Sequence, residues 1–298
     1  MSSAPTSSAT PSATPTSSSS TPPPPPPTTT SEETTEEPPP ETTESSEETS
    51  EAPPETTTQA PPTTPAPPKT TPKPATGAVA GKVVAIDPGH NGGNSSAPDI
   101  INQEIDGGNG FTNVCNTVGT ESTDGYPEHA FTWAVAKYLK ADLEAQGIKV
   151  VMTRNSDDGV GPCTPDRAKT ENDSGAAAVI SIHGDGADSG DRGFHVITNG
   201  DPTEISAPEA DASQALAVSI RDAMVNEGFP TSNWLGENGL WTRDDLTGLN
   251  FSSRPKILIE CGNMKNATDA NLMSTADGQR QYAAGLAAGT IAFLKSQG

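Results

Sequence analysis

The sequence predicts an α/β domain of three layers, in which a mostly parallel central sheet carries helices on both faces, preceded by a disordered tail. Two observations predict this fold. Short continuous apolar runs, such as residues 83–86 and 257–259, are typical of strands that are buried on both faces. They alternate with longer segments whose apolar residues recur at three- and four-residue steps, as in amphipathic helices. Strands that alternate with helices in this way favour a parallel sheet.

The first 76 residues differ sharply in composition from the rest of the chain. They hold 21 of the 30 prolines and ten glutamates among many Ser and Thr, and the first aromatic residue is Phe111. Such a segment cannot bury enough apolar surface to offset the entropy lost on ordering. We therefore predict a disordered stalk over residues 1–79 and one folded domain over residues 80–298.

The charge and hydropathy of the chain exclude several classes of partner. The ten glutamates of the stalk face only Lys69 and Lys73, a net charge of −8, which leaves −14 of the total −22 for the domain. Two acidic parts argue against nucleic acid or anionic lipid as a partner. No stretch approaches the ~20 apolar residues of a transmembrane helix, and no export signal is visible. Because Pro/Thr-rich stalks are typical of extracytoplasmic proteins, we nevertheless expect that location.

The elements of the domain can be predicted in order. Residues 82–86 form a buried strand that ends at a Pro-Gly break. Residues 99–124, rich in Gly, Asn and Thr, predict a long ordered functional loop. Residues 128–146 form an amphipathic helix that stops at Gly147. The remaining predicted elements are strands at 149–153, 177–183, 193–198 and 255–261, and helices at 166–172, 209–227 and 278–296.

Three cysteines permit one disulfide and one free thiol. Cys115 and Cys163 lie in predicted loops, whereas Cys261 lies at the end of an apolar strand. We predict a bond between Cys115 and Cys163, which implies an oxidising compartment. The alternative is three unpaired thiols in a cytosolic protein.

Polar residues follow the predicted strands and point to a metal site. His90 follows the first strand after a short turn, His183 ends a later strand, and Glu260 directly follows an Ile-Leu-Ile run. Residues at the carboxyl ends of parallel strands converge at one edge of the sheet. Glu128 begins the long helix and can join them. Two imidazoles and one carboxylate leave a fourth zinc position open for water, and a further carboxylate can act as base, which is hydrolase chemistry.

Each of these residues also has a structural alternative. His90 could be an exposed loop histidine, and His183 could be a core histidine. Glu128 could be a carboxylate that only stabilises the helix terminus, and Glu260 could belong to a structural ion pair. His129 is a rival to Glu128 as a ligand. Neighbouring residues on a helix point about 100° apart, and the spacing to Phe131 and Val135 places Glu128 on the buried edge. We therefore favour Glu128.

Together these segments resemble the zinc-dependent N-acetylmuramoyl-L-alanine amidases of the amidase-3 class, which are bacterial cell-wall hydrolases. The resemblance covers residues 82–297. Its motifs are VAIDPGHNGG at 84–93, Glu128 at its helix start, VMTR at 151–154 with Arg167, ISIH at 180–183, RGF at 192–194 and ILIECGNMKN at 257–266. Two positions depart from the family's usual pattern. Gly184-Asp185 replaces Ala-Asn, and Gly262-Asn263 replaces Gly-Phe.

By that resemblance, His90, Glu128 and His183 would hold Zn²⁺, and Glu260 would be the catalytic carboxylate that activates a water. The substrate would be the amide between N-acetylmuramic acid and the L-alanine of the stem peptide, in peptidoglycan or in soluble muropeptides. The alternatives are an inactive peptidoglycan-binding domain, which loss of Glu260 would mark, and a zinc carboxypeptidase, which would release D-alanine. We expect a monomer without a second folded domain.

Overall fold

The computed structural model describes residues 77–200 and 207–298. The predicted stalk lies, up to residue 76, outside the described residues and stays a prediction. Val79, which we assigned to the stalk, is only 3% exposed and packs in the main hydrophobic core. The folded part therefore begins at or before this residue.

A six-stranded sheet forms the middle layer. Its strands are β1 (Val83–Pro88), β4 (Lys149–Met152), β5 (Ala178–Asp185), β6 (His195–Asn199), β7 (Leu240–Arg243) and β8 (Lys256–Asn263), and their spatial order is β4-β1-β5-β8-β6-β7. All neighbouring pairs are parallel except β6 and β8, which are antiparallel. The predicted mostly parallel sheet is confirmed.

Helices cover both faces of this sheet, as predicted. The helices are α1 (Pro98–Ile101), α2 (Glu128–Ala145), α3 (Thr164–Asp173), α4 (Ala207–Asn226), α5 (Thr247–Asn250), α6 (Ala267–Ser274) and α7 (Ala276–Ser296). The apolar face packs against α2 and α4, and α7 packs on these two helices; their common core contains Ile86, Ile182 and Ile259. On the opposite face, Asp87 of β1 and Lys256 of β8 bond to side chains of α3. The two faces differ in polarity because side chains alternate along each strand.

Some elements were not predicted from the sequence. The segment expected to be one long loop contains α1 and a hairpin of β2 (Glu104–Asp106) and β3 (Thr112–Val114). Strand β7 was missed because its four residues include no continuous apolar run and it lies at the edge of the sheet. Helix α6 was missed too, although Asn266 caps it by accepting hydrogen bonds from the N–H groups of Thr268 and Asp269.

The cysteines pair as predicted. Cys115 and Cys163 form a disulfide across a sequence separation of 48 residues, and Cys261 is free and buried. The bond joins the segment after β3 to the residue before α3. It therefore links two loops that border the site described next.

Candidate metal centre and catalytic site

The structure brings His90, Glu128 and His183 together at the carboxyl end of β1 and β5. Nε2 of His90 lies 3.0 Å from Oε1 of Glu128, and Nδ1 of His183 lies 3.1 Å from the same oxygen. The two imidazole rings meet edge to face, with centroids 5.0 Å apart. Three potential ligand atoms, one from each residue, all lie within 4.8 Å of one another. They are the only such group of three or more within the described ranges.

His90 is presented by a turn that several groups hold in place. Its φ of 58° lies in the left-handed region, which is uncommon for a residue with a side chain. The buried guanidinium of Arg167 donates hydrogen bonds to the carbonyls of Pro88 at 2.7 Å and His90 at 2.7 Å. Arg154 donates to the Pro88 carbonyl from the other side, at 3.0 Å. Two arginines thus fix the backbone that carries the imidazole.

The carbonyl oxygen of Thr117 favours one tautomer of His90, and the Thr117 hydroxyl lies at the same distance of 3.1 Å from Nδ1. Nδ1 lies 3.1 Å from the carbonyl oxygen of Thr117, which can only accept a hydrogen bond. With the proton on Nδ1, the lone pair is on Nε2, the atom that faces Glu128. Metal-binding histidines commonly donate their other N–H to a carbonyl in this way.

Glu128 is buried, with only 3% of its surface exposed, and is held by backbone donors. Its Oε2 accepts from the N–H of Thr120 at 2.9 Å, and its Oε1 accepts from the N–H of Gly184 at 3.0 Å. Burial alone would raise its pKa, but the facing His90 and His183 outweigh burial and hold the pKa of this carboxyl well below its usual range. Conversely, Glu128 raises the pKa of His90 despite burial.

The donor set and the space around it fit zinc. Two imidazole nitrogens and one carboxylate oxygen are the ligand types that catalytic zinc sites use, with a further position left open. Two glycines leave room for the ligands. A Cβ at Gly89 would lie 2.3 Å from the His183 ring, and one at Gly119 would lie 2.7 Å from Oε2 of Glu128. Larger residues at either position would displace a ligand side chain.

His129 lies outside this group. Its Nδ1 is 3.0 Å from Oδ2 of Asp157, and Oδ1 of the same residue accepts a hydrogen bond from Arg154. Glu128 and His129 thus point to different sides of α2, as expected for neighbouring residues on a helix.

Glu260 lies beside the three-residue group. It is the register partner of His183 across the parallel pair β5 and β8, so the two side chains share one face of the sheet. Its Oε2 is buried and has no hydrogen-bond partner. Burial, followed by the charges of Asp185 and Glu128, raises the pKa of this carboxyl well above its ordinary value. A carboxylate in such surroundings binds a proton more readily than a solvated one.

A cavity of ≈ 160 Å³ opens beside the two histidines, under the β2–β3 hairpin. Asn113 of the hairpin donates a 3.0 Å hydrogen bond to Thr247 of α5, which closes the roof. Lys256 and Leu258 line the floor. No local pattern marks these residues as cavity-lining, because the hairpin and α5 meet over the sheet only in the folded chain.

Comparisons with known proteins find relatives of this chain. The sequence profile of the Amidase_3 family, described as N-acetylmuramoyl-L-alanine amidase, matches residues 84–292. The chain is 41% identical over 220 residues to the N-acetylmuramoyl-L-alanine amidase Rv3717 of Mycobacterium tuberculosis, covering 74% of this chain and 89% of that protein.

Solved structures show the same fold. The amidase Ami1 of Mycobacterium smegmatis superposes with a TM-score of 0.71 at 39% identity, covering 74% of this chain and 99% of that one. The apo form of Ami1 from Mycobacterium abscessus gives a TM-score of 0.69 at 40% identity, covering 72% of this chain and 100% of that one.

Proposed function

The chain belongs to the N-acetylmuramoyl-L-alanine amidase family, and on that premise we propose that it hydrolyses the amide between N-acetylmuramic acid and the L-alanine of the stem peptide with one zinc ion as cofactor. The family match covers nearly the whole folded part and supports the amidase activity, and hence peptidoglycan as the substrate. The observation that carries the zinc assignment is the convergence of His90, Glu128 and His183 beside Glu260.

In this proposal the four residues divide the work. His90, Glu128 and His183 would hold the zinc, which when bound polarises the amide carbonyl and lowers the pKa of a water. Glu260 takes the proton of the attacking water and delivers it to the nitrogen that leaves as the amine of L-alanine. Its buried position suits this exchange because burial raises its affinity for a proton.

The substrate and the disulfide both bear on the cellular location of the enzyme. We propose an extracytoplasmic location, because peptidoglycan lies outside the cytoplasm and the Cys115–Cys163 bond persists in oxidising compartments. Within residues 77–200 and 207–298, no helix is long and apolar enough to cross a membrane. A monomer remains our prediction.

Two alternatives were raised by the sequence. An inactive peptidoglycan-binding domain would have no need for a carboxylate such as Glu260, because burying its Oε2 without a hydrogen-bond partner costs free energy. A zinc carboxypeptidase on the same polymer would release D-alanine, whereas the amidase leaves muramic acid intact and frees the amino group of L-alanine. The family match favours the amidase.

The metal content and the products of digestion test the proposal together. We expect one zinc per purified chain by elemental analysis, and stem peptides with a free L-alanine amino group by mass spectrometry of digested peptidoglycan. His183→Ala should lose the zinc because it removes one of three ligands. His129→Ala is the matched control: it removes a neighbouring histidine that lies outside the group, and should retain zinc.

The outcomes separate the parts of the proposal. A parent enzyme without zinc, or equal zinc in the His183→Ala and parent proteins, would contradict the metal assignment. Release of D-alanine without free L-alanine amino groups would contradict the amidase activity and support the carboxypeptidase activity.

A further inference from the structure

Glu260, the proposed base, and two residues near it each carry a buried polar atom without a hydrogen-bond partner. These atoms are Oδ2 of Asp185, Nδ1 of His195 and Oε2 of Glu260. A buried donor or acceptor that makes no hydrogen bond costs free energy, and such atoms are rare in folded proteins. Since an imidazole N–H can donate to a carboxylate oxygen, these three atoms are candidates for one hydrogen-bonded group.

The sheet itself brings them together. His195 is the register partner of Glu260 across the antiparallel pair β6 and β8, so both side chains lie on the same face. Glu260 thus has His183 on one side and His195 on the other. Asp185 follows two residues after His183, and its Oδ2 lies 3.8 Å from Nδ1 of His195.

His195 is held firmly in this position. It is 1% exposed, and its ring makes edge contacts with Trp234, at a centroid distance of 6.3 Å, and with Trp241, at 5.7 Å. Burial, with a smaller effect from the cation of Arg243, lowers the pKa of His195 to about 4. At neutral pH the ring therefore has one N–H donor and one lone pair.

We propose that His195 is a positioning residue for Glu260, and that its Nδ1–H is shared between the inner oxygens of Glu260 and Asp185. The inference rests on the proposed role of Glu260 as base. The 3.8 Å between Nδ1 of His195 and Oδ2 of Asp185 is too long for a hydrogen bond, and the two atoms must approach by about 0.8 Å to reach a hydrogen-bond distance of about 3 Å.

This arrangement gives His195 a defined task. A carboxylate that is not hydrogen-bonded can rotate, and a base works only in a narrow geometry relative to the proton it takes. Anchoring the inner oxygen of Glu260 fixes the plane of the carboxylate. Its other oxygen then stays available toward the neighbouring His183.

The position of the proton on His195 tests this directly, without substrate. In zinc-loaded protein labelled with ¹⁵N-histidine, we expect the His195 signal to show the proton on Nδ1, with assignment from its absence in the His195→Asn variant. A proton on Nε2 instead would leave a bare lone pair facing two carboxylates and would overturn the proposal. The result does not depend on which bond the enzyme cleaves.

Two substitutions test the functional consequence. His195→Phe keeps a planar ring but removes Nδ1, and should lower kcat roughly 10- to 100-fold with KM and zinc content unchanged. His195→Asn can place an amide N–H near the position of Nδ1 and should restore kcat to within about threefold of the parent. Thr198→Val is the control: it removes a buried hydroxyl from the same strand but on the opposite face, and should leave kcat unchanged.

The results distinguish positioning from simple structural support. If His195→Phe keeps the parent kcat, or if the Asn variant is as slow as the Phe variant, the positioning role is wrong although the amidase can stand. If the parent enzyme does not cleave muramoyl-alanine amides at all, the proposed function fails, and the tautomer measurement still decides the hydrogen bond.

Discussion

The two faces of the central sheet are made by the same strands but do different work. In β8, Ile257 and Ile259 belong to the main hydrophobic core, while Lys256 and Glu260 point to the opposite face. In β5, Ile180 and Ile182 face the core and His183 faces the site. One face is almost wholly apolar, and the other carries most of the buried charges of the domain.

This contrast shows which face of the sheet stabilises the fold and which face carries the site. Burial of the apolar face stabilises the fold, at roughly 1.5–3 kcal/mol for each large side chain. The polar face buries two ion pairs, Arg167 with Asp87 and Lys256 with Glu171. Buried pairs of this kind are often no more stabilising than apolar residues. The polar face therefore adds little to the free energy of unfolding or lowers it, and the apolar face offsets that loss. The site lies on the polar face.

The largest expected effect concerns Glu260. Glu260→Gln keeps the shape but cannot accept the proton of water, so kcat should fall by about 10²- to 10⁴-fold. Zinc content should not change. The melting temperature should not fall, because a carboxylate whose charged form is disfavoured by its surroundings is replaced by a neutral amide of the same shape that can still accept a hydrogen bond. Near-parent turnover in this variant would show that Glu260 of the polar face is not the base.

The neighbouring residue in the same strand should behave in the opposite way. Ile259→Ala opens a cavity in the apolar core and should lower the free energy of unfolding by about 2–5 kcal/mol. Turnover per folded molecule should stay near the parent value. Urea unfolding and active-site titration, with zinc in excess, measure the two quantities separately.

A matched control is available one position earlier. Leu258 is partly exposed and lines the cavity, so Leu258→Ala should cost less stability than Ile259→Ala. Equal losses at both positions would contradict the assignment of stability to the apolar face.

The smallest effect expected is a pH dependence from the buried Glu171. Burial outweighs the attraction of Lys256 and raises the pKa of Glu171 to about 7. Since this folded-state pKa lies above the unfolded value of about 4.5, Glu171 contributes stability that is present below pH 4.5 and is lost as the pH rises to 7.

Unfolding by urea at pH 5 and pH 8 measures this effect. From the lower to the higher pH, the parent should lose about 2 kcal/mol more than Glu171→Gln, which keeps Lys256 but cannot ionise. Using the difference between the two proteins removes the opposite contribution of His195, whose lowered pKa adds stability as pH rises from about 4 to 6.5. Parallel pH curves would show that Lys256 keeps Glu171 ionised in the fold.

Several features could be predicted from sequence because they depend on local patterns. The alternating apolar runs predicted the buried strands, and the 3.6-residue period predicted α2 within one residue of its observed end. The family motifs named His90, Glu128, His183 and Glu260. The loop location of two cysteines predicted their bond.

Other features depend on which segments meet in space. Nothing local marks Asp185 and His195 as neighbours of Glu260, because their proximity follows from the strand order β5-β8-β6. The hairpin over the cavity and the edge strand β7 were equally invisible, since short polar segments become strands only when a partner supplies hydrogen bonds.

By itself, the sequence determined the fold class, the family and the residue types at the site, because hydrophobic periodicity and short motifs are properties of neighbouring residues. The tertiary structure decided the register of β6 on β8, the contacts of the His90 ring and the two arginines that hold its turn. These depend on distances between residues far apart in the chain, and only packing of the sheet fixes such distances.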